Sequence, residues 1–512
     1  MGALSGTRLL PGRGQAGSGR PNIVLILADD MGYSDLGCYG SEISTPYLDR
    51  LAERGMRFTH FYCAARCCPS RASLMTGLYP HQTGVGHMGQ DFGLPGYRGF
   101  LNDRCITIAE ALRETGYRTL MSGKWHLGSG RPHWPVDRGF ERSFGLLGGT
   151  GNYFRPARLF EDGKAVPPPG EEFYITDAFT DKANDFIGQS GGGREPFFLY
   201  LAYTAPHFPL HALPGDIARY RGRYKDGWDV LRRKRHARMV RMGIVDGRWP
   251  LSPRDPEAPA WDQVQDKDLR DLKMAVYAAQ IDRMDRGIGR VLDKLREVGA
   301  ESNTLVLFLS DNGGCAEVKQ AGDPGAPIGT ADSFASYGLP WANASNTPFR
   351  LFKHWTHEGG ISTPLIACWP DVIPLGNVIT REVGHIIDIL PTCLDVAGAR
   401  YAEALKGRAI LPAEGTSLLP IFRGKRRTPH ETLFWEHEGN RAVRKGDWKL
   451  VAGFREDWEL YDLKADRTET RDLAGRHSRT VREMADAWAQ WAKRCGVVPW
   501  TETWEKSRGI PR

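Results

Sequence analysis

The sequence predicts an α/β fold: a large mixed, mostly parallel sheet flanked by helices, with a smaller C-terminal α+β domain. Three observations predict it. Four short apolar runs, Asn22 to Ala28, Tyr117 to Met121, Phe197 to Tyr203 and Thr304 to Ser310, are continuous rather than alternating, as expected of strands covered on both faces. Leu272, Val276, Ala279, Ile288, Val291 and Leu295 recur at helical spacing and mark a helix from about Leu269 to Val298 that faces a core. From about Gly424 the pattern shifts to short runs separated by turns. Thr432 to Trp435, Arg441 to Arg444 and Trp448 to Ala452 read as antiparallel strands. A helix from about Ser478 to Arg494 follows, with Val481, Met484, Ala485, Trp488 and Trp491 on one face.

Each of the four apolar runs leads into chemistry. The first ends in Asp29-Asp30, the second near Lys124-Trp125-His126, the third near His207 and the fourth in Asp311-Asn312. Ligands of open α/β sheets bind beyond the carboxyl ends of the strands, so four such ends can converge on one crevice. Asp29, Asp30, Asp311 and Asn312 are hard oxygen donors that suit Ca²⁺ or Mg²⁺. Carboxylates sharing a pocket repel one another, which makes a divalent cation their natural partner. Taken alone, Asp29-Asp30 reads equally well as a turn or a helix cap. No Cys/His spacing resembles a zinc site. Lys124 and His126 stand two apart around Trp125, and in an extended segment such residues face the same side; alone, either reads as a surface residue. His207 lies in Ala205-Pro206-His207-Phe208-Pro209, where prolines fix the backbone; a plain loop histidine is the other reading. Cys67 and Cys68 by themselves read as small buried hydrophobes.

At 512 residues the chain exceeds one ordinary core. The pattern divides it into a flexible N-terminal segment, 1–20, a main domain, 21–423, with a surface insertion at about 215–265, and a C-terminal α+β subdomain, 424–512. The formal charge of +7 and pI near 8.9 are a mild basic excess; an anionic substrate fits it, and so does solubility alone. In the insertion, Arg232-Arg233-Lys234-Arg235 reads as part of a solvated helix, with polyanion binding as the other reading. Residues 1 to 20 are rich in Gly and Arg and do not read as a signal peptide, and no run is long enough to span a membrane. The expected location is therefore cytoplasmic, with export if the start site is misplaced. The nine cysteines are scattered and odd in number, which does not suggest a disulfide framework. Asn343-Ala344-Ser345 matches a glycosylation acceptor that matters only on export.

The block Cys67-Cys68-Pro69-Ser70-Arg71-Ala72-Ser73-Leu74-Met75-Thr76-Gly77 resembles the signature of the sulfatase family. Other blocks resemble that family in the same order. They are Asp29-Asp30 with Gly32-Tyr33 and Asp35; Thr45-Pro46 with Leu48-Asp49; Gly123-Lys124-Trp125-His126-Leu127-Gly128; Pro206-His207; Ser310-Asp311-Asn312-Gly313; Lys353 with His357-Glu358-Gly359-Gly360; and Glu459-Leu460-Tyr461-Asp462-Leu463. The resemblance runs from about Pro21 to about Leu473, and its style before Lys353 is arylsulfatase-like. It implies an alkaline phosphatase-like sheet and hydrolysis of aryl or carbohydrate sulfate monoesters to an alcohol or phenol plus sulfate.

The resemblance also implies roles. Cys67 becomes formylglycine, made by a separate formylglycine-generating enzyme, and its hydrated diol is the nucleophile. Asp29, Asp30, Cys67, Asp311 and Asn312 hold Ca²⁺, with Mg²⁺ as the alternative. Arg71 steadies the diol. Lys124, His207 and Lys353 hold the sulfate, and His207 or Lys353 protonates the leaving oxygen. His126 takes the diol proton as sulfate is expelled. His437, in Trp435-Glu436-His437-Glu438-Gly439, is a lesser candidate for touching substrate, an exposed loop histidine being the plainer reading. The expected partners are a sulfated small molecule or carbohydrate and the maturation enzyme, with no nucleic acid and no membrane. Two other readings stay open: a phosphonate or phosphate monoester hydrolase on the same scaffold, and a noncatalytic sulfated-glycan binder. The intact set of candidates argues against the binder, since binding needs no oxidisable cysteine.

Overall fold

In chain order the first eight strands are β1 (Asn22–Asp29), β2 (Met56–Tyr62), β3 (Arg118–Lys124), β4 (Arg142–Leu146), β5 (Leu159–Glu161), β6 (Lys164–Val166), β7 (Phe197–Pro206) and β8 (Thr304–Ser310). With β9 (Ser362–Cys368), β10 (Val378–Thr380) and β11 (Gly384–His385) they form one sheet. Its order is β10-β2-β9-β8-β1-β7-β3-β4-β5-β6, with β11 beside β2. The centre, β8-β1-β7-β3-β4, is parallel, and β9 runs antiparallel to both its neighbours. The computed structural model describes residues 19–167, 170–190, 195–323, 325–373, 375–405 and 407–507. Nearly all of the N-terminal segment read as flexible lies outside the described residues.

The continuous apolar runs have the expected cause. Val24, Ile26 and Ala28 of β1 enter one core, and Ile23, Leu25 and Leu27 enter the core on the opposite face. A strand buried on both sides needs apolar residues at every position. All described cysteines are free and buried. Asn343 is buried too, so its acceptor tripeptide is out of reach of a glycan. Among the described residues no helix is long and apolar enough to cross a membrane.

Five helices matter for the site: α1 (Cys67–Thr76), α2 (Ile175–Ser190), α3 (Gly227–Arg241), α4 (Lys267–Glu297) and α5 (Ser478–Cys495). The sequence suggests one buried face for α4, but it is buried more fully. The insertion lies on its outer side: Asp271 accepts from the Gly222 and Tyr224 N–H groups, and Asp282 from the Tyr220 hydroxyl. The solvated-helix reading of Arg232 to Arg235 needs correction. Arg232 and Arg235 of α3 are 3% and 1% exposed; only Arg233 and Lys234 face solvent. Arg232 donates to Ser252, and Arg235 grips Asp35 and Glu42.

The C-terminal part is an antiparallel meander of β12 (Thr432–His437), β13 (Asn440–Lys445), β14 (Trp448–Ala452) and β15 (Glu459–Asp462), covered by α5. It shares a core with the main sheet, where Leu433, Trp435, Val451 and Trp491 pack with Tyr62, Tyr79 and Ile361. Beneath that core is a fully buried ion network. Glu358 pairs with Lys449 at 3.0 Å and Arg467 at 2.8 Å, and Lys449 reaches Glu469 at 2.7 Å.

Candidate active site

The site lies where β1, β3, β7 and β8 end. Asp29 closes β1, and Asp30 turns the chain with φ of 65°. Its N–H and that of Met31 bond to the Asp311 carboxylate and the Ser310 hydroxyl, so the two strand ends hold each other. The Asn312 amide donates to Asp30 at 2.8 Å. Asp29, Asp30, Asp311 and Asn312 thus meet, as the order of strand ends suggests, and are 0%, 1%, 0% and 0% exposed.

Cys67 is the first residue of α1, a helix buried along its whole length. A helix N-terminus favours a thiolate. A hydrogen bond from Cys68, then Lys124, His126 and Lys353, hold the Cys67 thiol well below its usual range despite burial. Arg71, four residues on, turns back from the same helix. It forks onto Asp311 at 3.0 and 2.8 Å and donates to the Lys124 carbonyl at 3.0 Å.

Cations line the opposite side. Lys124 reaches Asp29 at 2.6 Å and Lys353 reaches Asp30 at 2.8 Å. His207 Nε2 lies 3.4 Å from Asp30, and its Nδ1 is 2.6 Å from the Phe208 carbonyl. Burial alone would raise the Asp30 carboxyl, but His207 and Lys353 outweigh it and bring it down to about 2. Burial and the Asp29 charge push the Asp311 carboxyl well up, against the pull of Arg71. Burial lowers His207 and takes His126 down to about 4.

His126 reaches Cys67 by a route other than the extended segment inferred above. Lys124 ends β3, and His126 then adopts φ of 59°, which swings its ring to Cys67 and Cys68. Gly149 makes room: a Cβ there would sit 2.5 Å from His126 Cε1. Arg71, Lys124, His126, His207, Lys353 and Asp311 each meet Asp29 or Cys67 through a direct bond or an electrostatic contact; Asp30 meets Lys353 and His207, and Asn312 joins through Asp30.

The donor set fits a hard divalent cation. Asp29 Oδ1 and Asn312 Oδ1 are buried without a hydrogen-bond partner, an arrangement that is costly unless something positive stands between them. Every donor there is oxygen. His437 is not an exposed loop residue. It is fully buried, and neither ring nitrogen has a hydrogen-bond partner. Glu438, His354 and His87 stand beside it; the sequence marks the first two only by their place next to His437 and Lys353, and His87 not at all.

Comparison with known proteins gives consistent matches. The family model described as Sulfatase matches residues 21–399, and that described as N-sulphoglucosamine sulphohydrolase, C-terminal, matches residues 349–489. The chain is 36% identical over 442 residues to an arylsulfatase of Klebsiella aerogenes, covering 81% of this chain and 94% of that protein. It is 30% identical over 509 residues to N-acetylgalactosamine-6-sulfatase of Canis lupus familiaris, covering 94% and 82%. A crystal structure of Ps i-CgsB in complex with k-i-k-neocarrahexaose superposes with a TM-score of 0.69 at 29% identity, covering 92% of this chain and 93% of that one. The mixed sheet with its smaller C-terminal unit is the alkaline phosphatase-like α/β fold of these proteins.

Proposed function

The chain belongs to the sulfatase family and is a sulfate ester hydrolase; from this premise we propose that it works with a formylglycine made from Cys67 and a divalent cation held by Asp29, Asp30, Asp311 and Asn312. The observation that carries this reading is the pair of unpartnered buried oxygens, Asp29 Oδ1 at the end of β1 and Asn312 Oδ1 two residues beyond β8. Ca²⁺ suits an all-protein oxygen set better than Mg²⁺, which keeps several waters. When bound, the cation and the hydrated aldehyde supply charge stabilisation and an oxygen nucleophile at neutral pH.

The chain's own residues do the rest. Arg71, locked between Asp311 and the Lys124 carbonyl, fixes position 67 from one helical turn away. Lys124 and Lys353 bring two buried positive charges to the sulfate and offset charge as it builds on the bridging oxygen. Lys353 and His207 Nε2 are the two proton donors in reach of that oxygen. His126 is neutral at pH 7, since burial holds it at about 4, and it accepts a proton beside position 67. The substrate is a sulfated small molecule or carbohydrate, the class named for the relatives above.

The test uses protein made together with a formylglycine-generating enzyme. The mass of the Cys67 peptide, with an aldehyde trap, reads the conversion. Turnover of 4-nitrophenyl sulfate is then compared with that of the matching phosphate and phosphonate. An aldehyde and a preference for the sulfate support the reading. An unmodified thiol in active protein, or faster turnover of the phosphonate, overturns it.

A further inference from the structure

Beside the nucleophile lies a second polar cluster that no step above uses. It is built from the chain neighbours of site residues. Arg66 precedes Cys67 and His354 follows Lys353. His87 precedes Met88, whose Sδ lies 3.9 Å from Cys67 Sγ. The His354 N–H is tied to the Ala65 carbonyl at 2.8 Å, so this wall is continuous with the start of α1.

Into this ring the turn between β12 and β13 delivers Glu438, in the left-handed region at φ of 52°. Such a backbone is costly for a non-glycine residue and persists only where its surroundings fix it. They do so here. One Glu438 oxygen meets His87 Nε2 at 2.6 Å and the other meets His354 Nδ1 at 2.9 Å. The Asn440 amide is oriented by the backbone: its Nδ2 donates to the His437 carbonyl at 3.0 Å, and its Oδ1 accepts from the Phe454 N–H at 3.2 Å. That amide nitrogen also lies 3.1 Å from His354 Nε2. His354 Nε2 is therefore the acceptor, and Nδ1 carries the proton given to Glu438. Behind them His437 stacks on His87 at 5.7 Å.

A carboxylate offers about four acceptor sites, and two are filled by the histidines. The Glu438 side chain remains 20% exposed and His354 29%, so acceptor capacity is left toward solvent near Arg66, which lies within electrostatic reach of both Glu438 and Cys67. The neighbouring wall is charged, with Arg66 paired to Glu317 at 2.9 Å. An aromatic leaving group pressed here would strip water from a carboxylate and a guanidinium without replacing it. Hydroxyl groups would replace it. His354, His437 and Glu438 also suit a transition metal, but the proton on His354 Nδ1 and the nearby Arg66 charge oppose one.

We propose that Glu438, held by His87 and His354, is a specificity residue that accepts hydrogen bonds from the hydroxyls of a carbohydrate sulfate. This rests on the sulfate-ester reading above. The test compares matured wild type with Glu438→Gln and Glu438→Asp. Each is assayed on N-acetylgalactosamine 6-sulfate, glucose 6-sulfate and 4-nitrophenyl sulfate, and bound zinc is measured by mass spectrometry. The sugar-to-aryl ratio of kcat/KM is expected to fall about 10- to 100-fold in Glu438→Gln, chiefly through KM, with Glu438→Asp between. A ratio within twofold of wild type overturns the proposal. So does a wild type that cleaves the aryl ester but neither sugar, and so does an equivalent of zinc that Glu438→Gln loses. A wild type inert toward every sulfate ester strikes the sulfatase reading itself, and the proposal falls with it.

Discussion

Replacing Arg235 with methionine asks whether the insertion helix α3 frames the site or only covers it. Asp35 is fully buried and takes bonds from Arg235 at 2.6 Å, the Tyr277 hydroxyl at 2.7 Å and the Gly32 N–H at 2.9 Å. The last of these fixes the turn that follows Asp29 and Asp30. Arg235 also forks onto Glu42 with two bonds of 2.9 Å. Methionine keeps most of the packing and removes the charge. Taking one partner from a buried pair costs about 3–5 kcal/mol. Glu42 is partly exposed and can rehydrate, so Asp35 accounts for most of the loss. Burial already holds the Asp35 carboxyl above its usual value, with Arg235 pulling it back; without Arg235 it rises further. An acid whose folded pKa lies above its unfolded one is penalised as pH climbs between the two and not below them. The deficit of Arg235→Met should therefore shrink between pH 7.5 and pH 5. Adding Asp35→Asn should recover part of the loss, so that the double variant falls short of the sum. Denaturant midpoints across pH and calorimetric Ca²⁺ titration read both effects, with weaker Ca²⁺ binding expected in Arg235→Met. A deficit under 1 kcal/mol that ignores pH, with unaltered Ca²⁺ affinity, would refute the frame argument.

Glu358→Gln should cost about 3–5 kcal/mol, because buried Arg467 then loses its carboxylate and Lys449 keeps only Glu469. In the native protein burial would raise Glu358, but Lys449, Arg467 and Arg444 hold it well below its usual range. Its contribution is complete above an unfolded pKa of about 4.3 and drains as pH falls toward the folded one, so melting curves from pH 7 to 3 should show an acid loss that the variant lacks. Gly149→Ala places a methyl 2.5 Å from the His126 ring; kcat should drop about 100-fold while the melting temperature stays near wild type. Chelation with EDTA should abolish turnover and lower the melting temperature, Ca²⁺ should restore both, and Asp29→Asn should need far more Ca²⁺ for the same thermal shift.

What the sequence made legible follows from burial. β1 and β8 are buried on both faces, so their apolar runs stand out, and the acidic residues after them are marked by position alone. Lys124 and His126 were found through the same logic, yet the geometry differed, because nothing local announces that His126 enters the left-handed region to reach Cys67. The burial of Arg235 is hidden in the sequence for a different reason. Its partners Asp35 and Glu42 lie about two hundred residues away, and a run of basic residues looks solvated until those partners are seen. β15 stands out as a motif but not as a strand, since four residues carry too little periodicity to declare themselves. His437 reads as exposed because the hairpin around it is polar; the structure buries His437 itself, while Glu438 of the turn stays partly exposed.

The Glu358 network has a consequence for biosynthesis. Glu358 sits a few residues after Lys353, but its cations, Lys449 and Arg467, leave the ribosome roughly a hundred residues later. Until they emerge, closing the loop that carries Lys353 and His354 would bury an uncompensated carboxylate, which is strongly disfavoured. On this reasoning the late loop closes only after they have emerged. Under the maturation proposed above, Cys67, only 1% exposed in the finished protein, would be within reach of a maturation enzyme during that interval. Completion of the C-terminal sheet would end the interval, and on that proposal a chain that folded before oxidation would keep its thiol.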